Sequence, residues 1–271
     1  MRLAISDGSE PVRADAGVRA PRLVPLPLEV REDEIASGAT SGTEFVLGVA
    51  ARRSRPAFLP LLEPGAHLLV VGDRGSGRTT LLRRVVRWYA TRDPGGAGAR
   101  LYLLDPRRTL DDLAGLPEVS ARASTTAPAA DVVRSLAEEL GPRGDTNARR
   151  HVVVVDDAEL LTGGDALAPT GSSALDLLAG MLSSATDSGL HVVLARRVGG
   201  LARAAYDPLL TRLRENAAAV LVLSGDRTEG PVVGGVAASA MPPGRGRLVR
   251  AYGGSPVGEL VQCALPSRHE P

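Results

Sequence analysis

The chain of 271 residues contains no lysine, and all 32 of its basic side chains are arginine. Against them stand 31 acidic residues, leaving a formal net charge of +1. That balance supplies no field to gather nucleic acid or an anionic membrane surface. Aromatic residues make up only 3% of the chain, so the stacking platforms that bind single strands are also scarce. The single cysteine, Cys263, excludes an intramolecular disulfide and points to a reducing compartment. No apolar run reaches the ~18 residues of a spanning helix, and "MRLAISDGSEPVRAD" lacks an apolar signal core. Neither export nor membrane insertion is expected of these residues.

What is present is enough hydrophobic material, 44% of the chain, for one large α/β domain. Residues 1–42 carry Pro11, Pro21, Pro25 and Pro27 with no sustained period, and read as a linker or extended strap. "FVLGVA" (45–50) is a strand leading into a domain expected over 43–266, with a short tail at 267–271. Inside it "HLLVVG" (67–72), "RLYLLD" (100–105), "HVVVVDD" (151–157), "HVVLAR" (191–196) and "AVLVLSG" (219–225) are apolar on both faces. Strands of a buried parallel sheet read this way. Helical spacing recurs between them, in "TTLLRRVVRWYA" (79–90), "ADVVRSLAEEL" (130–140) and "ALDLLAGMLSSA" (174–185). "LARAAYDPLLTRLREN" (201–216) is expected to be helical on both sides of Pro208, with a break or kink there. The alternation predicts a three-layer α/β sandwich on a mostly parallel central sheet. "GRLVRAYGGSPVGELVQCAL" (246–265) predicts a hairpin, placed as an antiparallel edge.

The chemistry concentrates at Gly72, Asp73, Arg74, Gly75, Ser76, Gly77, Arg78, Thr79 and Thr80. A buried-type strand ends at Val71, a glycine-rich turn follows, and an amphipathic helix begins near Gly77. That order aims backbone N–H groups and a helix N-terminus at one point, as a bound triphosphate requires. Thr79 is spaced to put its hydroxyl on Mg²⁺. Arg78 stands where the motif calls for lysine; its guanidinium is longer, planar and forked. "HVVVVDD" places Asp156 at the C-terminal end of a central strand, where open α/β sheets bind ligands, and makes it the second candidate for Mg²⁺.

"GDRGSGRTT", "LLDPRRTL", "VVVVDD", "SGLHVVLARR" and "PPGRGRL" occur in the order found in FtsK/SpoIIIE-type P-loop ATPase domains. Longer stretches, "GLHVVLARRVGGLARAAYDPLLTRLRE" among them, resemble the C-terminal ATPase module of the EccC family, over residues 40–265. The resemblance implies a RecA-like core, ATP with Mg²⁺, and ring-like assembly with other ATPase modules or subunits. It further implies small helical WXG-type secreted substrates, membrane-anchored secretion components as indirect partners, and a cytoplasmic position at the inner membrane face. Active members of the class usually place glutamate after the metal-side aspartate; here that residue is Asp157, one methylene shorter. A misplacement of about 1 Å can cost on the order of a hundredfold in rate. Glu159 is the substitute candidate for the same role. Arg196 stands where the family's DNA motors usually have glutamine, near the γ-phosphate, and is assigned to the nucleotide site. Arg212 and Arg214 are arginine-finger candidates, with a solvated helix face as the simpler reading. His67, His151 and His191 each open a strand, which puts them at the sheet edge opposite the nucleotide.

Three functions follow from these residues and the resemblance taken together. The first is a nucleotide-binding module of a secretion motor, with weak or absent hydrolysis and a part in docking and assembly. The second is a competent ATPase module. The third is a DNA-translocating motor domain, which the near-neutral charge disfavours.

Overall fold

The computed structural model describes residues 25–35, 44–92, 98–141, 150–162, 172–201, 203–233, 235–250 and 258–267. The glycine-rich stretches at 93–97 and 163–171, residues 1–24 and 36–42 of the expected strap and the last four residues of the tail lie outside them. In chain order the elements are β1 (Phe45–Ala50), β2 (Arg55–Leu59), β3 (Leu68–Val71), α1 (Arg78–Thr91), β4 (Ala99–Leu104) and β5 (Val119–Ala123). Next come α2 (Thr126–Leu140), β6 (Arg150–Val155), α3 (Ala174–Met181), α4 (Ala185–Ser188), β7 (Leu190–Arg196) and α5 (Pro208–Glu215). The chain closes with β8 (Ala219–Leu223), β9 (Pro231–Val233), β10 (Val236–Ala237), β11 (Arg245–Val249) and β12 (Glu259–Cys263).

A single 10-stranded sheet runs β2-β1-β12-β11-β8-β3-β7-β6-β4-β5, and β9 and β10 form a separate small ribbon. From β8 to β5 every pairing is parallel, with Val71 opposite Arg196 on one side and Val222 on the other. Alternation along β3 builds the three layers. Leu69 and Val71 pack with Leu136 of α2, Leu178 of α3 and Leu213 of α5. Leu68 and Val70 face the other way, against Leu81, Leu82, Val85 and Val86 of α1. This is the RecA-like P-loop arrangement that the strand–helix alternation and the resemblance lead one to expect. Among the described residues no helix is long and apolar enough to cross a membrane.

One local expectation changes and another is met. The C-terminal hairpin forms, but it is not an edge: β11 joins β8, and β12 pairs with β1 on its far side. The strand that enters the domain returns to cover the open ladder, as an unpaired edge invites. Pro208 does break the helical stretch, as expected: a short 3₁₀ helix over Arg203–Tyr206 ends before it. Pro208 then opens α5, and Asp207 caps that helix by accepting from the N–H groups of Leu209 (2.9 Å) and Leu210 (3.1 Å). Proline suits a first helical turn because its missing N–H would have no partner there.

Candidate functional site

The phosphate-type loop is held from three directions by backbone bonds. The Gly72 N–H donates to the Arg196 carbonyl (3.2 Å) and that of Asp73 to the Ser224 carbonyl (2.8 Å). The Gly244 N–H donates to the Ser76 carbonyl at 2.8 Å. A Cβ on Gly72 would sit 2.5 Å from Ser76 Oγ and 2.8 Å from Leu223 Cβ, so the loop closes only over glycine. Gly77 has φ of 106° and starts α1, whose first turn no side chain caps. Its N–H groups are left for a ligand, in the favourable field of the helix N-terminus. Arg78 Nη1 and Ser76 Oγ are buried without a hydrogen-bond partner. The orphaned Arg78 donor, on a cavity wall beside a backbone cradle, is what an anionic phosphate group would satisfy, whereas Ser76 Oγ faces Gly72.

Beside the loop, Asp156 is 1% exposed at the end of β6. Its Oδ2 accepts from Thr79 Oγ1 (2.7 Å) and Thr109 Oγ1 (3.1 Å), and its Oδ1 from the Asp157 N–H (2.9 Å). Among the described residues no cluster of three His, Cys, Asp or Glu side chains could hold a metal unaided. A hydroxyl and one carboxylate suit Mg²⁺, which completes its shell with waters and a ligand's phosphate oxygens.

Asp157 has a different fate. It lies in the left-handed region, φ 44°, and both of its oxygens are taken. Arg78 Nη2 holds Oδ1 at 2.7 Å and Arg107 Nε holds Oδ2 at 2.5 Å. Arg107 and Thr109 come from the segment after β4, beyond Asp105. Asp105 accepts from the Leu110 N–H at 2.7 Å, and burial, with Asp156 adding to it, raises its carboxyl above the usual range. The sequence reading missed Arg107 and Thr109. The available signal was "RLYLLD", which ends in an acid at the same sheet edge as "HVVVVDD".

A cavity of about 840 Å³ opens beside the loop, and Asp156 and Asp105 are not on its wall. Its lining includes Asp73, Arg74, Gly75, Gly77, Arg78, Thr79 and Thr80, with Arg107, Thr109 and Asp157. The volume lies in the range of small-molecule sites. Gly72 and Ser76 lie beneath the loop rather than on the cavity wall. Arg196 is not on the wall either: it is 5% exposed, among Glu159, Asp207 and Arg214, and burial works against its charge. The next residue, Arg197, lines the cavity and pairs with Glu159 at 3.0 Å. Glu159 is therefore committed to an arginine and absent from the wall. Arg212 pairs with Glu215 on α5, and Arg214 donates to the Val232 carbonyl; neither lines the cavity. Cys263 does line it, and burial raises its thiol to about 12, which keeps it protonated.

A strand, an anion-cradling loop and a helix, with an acid at the end of a neighbouring parallel strand, define a P-loop nucleotide-binding domain. Comparison with known proteins narrows this. The AAA domain family model matches residues 63–197. The chain is 34% identical over 261 residues to the ESX-4 secretion system protein EccC4 of Mycobacterium tuberculosis, covering 90% of this chain and 20% of that protein. The solved cytoplasmic domain of the Thermomonospora curvata type VII secretion ATPase EccC superposes with a TM-score of 0.78 at 31% identity. That match covers 92% of this chain and 29% of the solved one. A structure of ATPases 2 and 3 of the same EccC, in complex with a signal sequence peptide, superposes with a TM-score of 0.77 at 31% identity over 93% of this chain and 46% of that one. The chain is an AAA-type P-loop ATPase domain, homologous to the ATPase modules of EccC proteins of type VII secretion. It spans about a fifth of the length of the curated relatives it matches.

Proposed function

We propose that this chain is a Mg·ATP-binding module of a type VII secretion motor, with slow or absent hydrolysis, whose nucleotide supports assembly and substrate docking. The observation that carries the reading is the double capture of Asp157. The acid that would orient an attacking water has one oxygen on Arg78 and the other on Arg107. The loop N–H groups between Asp73 and Thr80, the N-terminus of α1 and Arg78 would hold the phosphates, and Thr79 and Asp156 would hold Mg²⁺. When bound, Mg²⁺ supplies neutralisation of phosphate charge. Arg78 thus has two claims on it, an acid and a phosphate, and the chain offers no lysine to share them.

Homology supports the wider setting. Residues 43–266 would form one unit among other ATPase modules in a ring-like assembly, on the cytoplasmic face of the membrane and beside membrane-anchored components. Small helical WXG-type proteins would be the substrates; nucleic acid is not expected as a partner. The competent-ATPase reading keeps one observation on its side, the intact Thr79–Asp156 bond at 2.7 Å.

One set of measurements decides. Millimolar Mg·ATP should raise the melting temperature, since a ligand at 100 times its Kd stabilises by about 2.7 kcal/mol. Gly77→Val or Thr79→Ala should abolish that shift. Turnover should be slow in the unaltered chain and rise in Arg78→Lys with Asp157→Glu. A melt indifferent to Mg·ATP removes the binding claim, and brisk hydrolysis by the unaltered chain hands the case to the competent ATPase.

A further inference from the structure

Residues 25–35 are pinned to the domain on both sides of a short span that lines the cavity. On one side, Arg245 Nη2 donates to the carbonyls of Leu26 (3.1 Å) and Pro27 (2.6 Å). On the other, the Leu265 N–H donates to the Val30 carbonyl (2.8 Å) and the Glu32 N–H to the Leu265 carbonyl (3.1 Å). The Glu32 carboxylate then meets Arg84, a buried side chain of α1, at 3.3 Å. Between the anchors, Leu28 and Glu29 stand on the wall of the cavity that contains the phosphate-type loop. Leu28 is 67% exposed there, a large apolar side chain left facing open volume.

The cavity wall divides by chemistry. Asp73, Arg74, Arg78, Arg107, Asp157 and Arg197 give the wall most of its charge, while Leu28, Pro242, Pro243, Gly244, Ala264 and Leu265 are uncharged and Glu29 of the strap adds one anionic side chain. Both anchors also lead back to the loop. Arg84 lies in the helix that Arg78 begins, and Arg245 follows Gly244, whose N–H is bonded to Ser76.

We propose that the strap forms the nucleoside wall of the site: the base and ribose of a bound nucleotide pack beneath Leu28, against Pro243, Gly244 and Leu265. Nucleotide binding thereby adds a third hold on residues 25–35, between the two anchors. The inference rests on the nucleotide-binding reading above and adds the part of the chain that senses the nucleoside. A heterocycle would remove the exposed face of Leu28 from water, which the charged part of the wall has no means to do. The uncharged part in turn has nothing to hold phosphate.

The test uses the full chain with two probes, Mg·ATP and magnesium tripolyphosphate, and the variant Leu28→Ser, whose exposed position leaves the fold intact. Kd for ATP should rise about tenfold in the variant, the loss expected from one partly buried leucine contact. Kd for tripolyphosphate should stay within twofold. Cleavage by a glutamate-specific protease at Glu29 should be slowed by ATP and not by tripolyphosphate. Unchanged ATP affinity in Leu28→Ser overturns the proposal, as does an equal loss for both probes or a Glu29 cleavage rate indifferent to ATP. If the unaltered chain binds neither probe, the nucleotide reading itself fails and this falls with it.

Discussion

Ionisable side chains are buried at both ends of the parallel strands, and the two ends keep them in different charge states. At the C-terminal end, Asp157 and Arg78 have side chains 7% and 9% exposed, yet each stays beside an opposite charge. At the N-terminal end, His67 is 2% and His191 1% exposed, with neutral partners instead. His67 Nδ1 accepts from the Val192 N–H at 3.0 Å, and His191 Nδ1 lies 3.0 Å from the Ala66 carbonyl. Burial pulls both down to about 4; His191 adds to the effect on His67, and Arg150 and His151 to that on His191. Burial alone therefore does not decide charge in this molecule. The partner set does, and it marks the paired end as the one built to meet a ligand.

The comparison breaks first, and most visibly, at Asp157. Asp157→Ala should destabilise the chain by about 3 kcal/mol, because it leaves Arg78 buried beside no acid. Urea unfolding measures this. A variant as stable as its parent would mean that solvent reaches Arg78 and that the two ends do not differ in kind.

A smaller effect belongs to the histidine end. Unfolded histidines take up protons near 6.5, whereas His67 and His191 in the fold resist until about 4. Their contribution is complete above pH 6.5 and is lost as pH falls through 6.5 toward 4, on the order of 2 kcal/mol for each histidine by about pH 5. His67→Asn, which keeps an acceptor for the Val192 N–H, should flatten that part of the profile relative to the parent. Equal pH dependence in the two proteins would show that His67 does not stay neutral.

Least in size is the contact beside that cluster. The Tyr102 hydroxyl lies 3.1 Å from Glu139 Oε2 and 3.3 Å from His151 Nδ1, and burial raises it to about 12. Tyr102→Phe should cost about 1 kcal/mol in chemical denaturation at neutral pH. A neutral outcome would reduce the N-terminal end to packing alone.

Much of this was legible in local sequence. The five apolar runs became central strands because each is buried on both faces, which leaves little else for such a run to be. β5 escaped notice because "VSARA" alternates half-buried and exposed residues, and only Ala123 at its end is buried. The loop and Asp156 were readable because a strand end, glycines and a following helix specify their own geometry. Arg107 was not: it meets Asp157 only because β4 and β6 are neighbours in the sheet. Arg197 rather than Arg196 reached the cavity because the chain leaves β7 at that point, and one residue of phase reverses which side chain points outward.

By itself, then, the sequence determined the alternation of strands and helices, the parallel core and the phosphate-type loop, since these depend on periodicity and on backbone freedom within a few residues. Tertiary structure alone decided that the terminal hairpin is an interior part of the sheet and that Leu28 and Glu29 border the cavity beside the phosphate-type loop. It also decided that Asp157 is held by two arginines. Each of these joins residues tens to hundreds of positions apart, and no local pattern encodes a contact whose partner is chosen by sheet order.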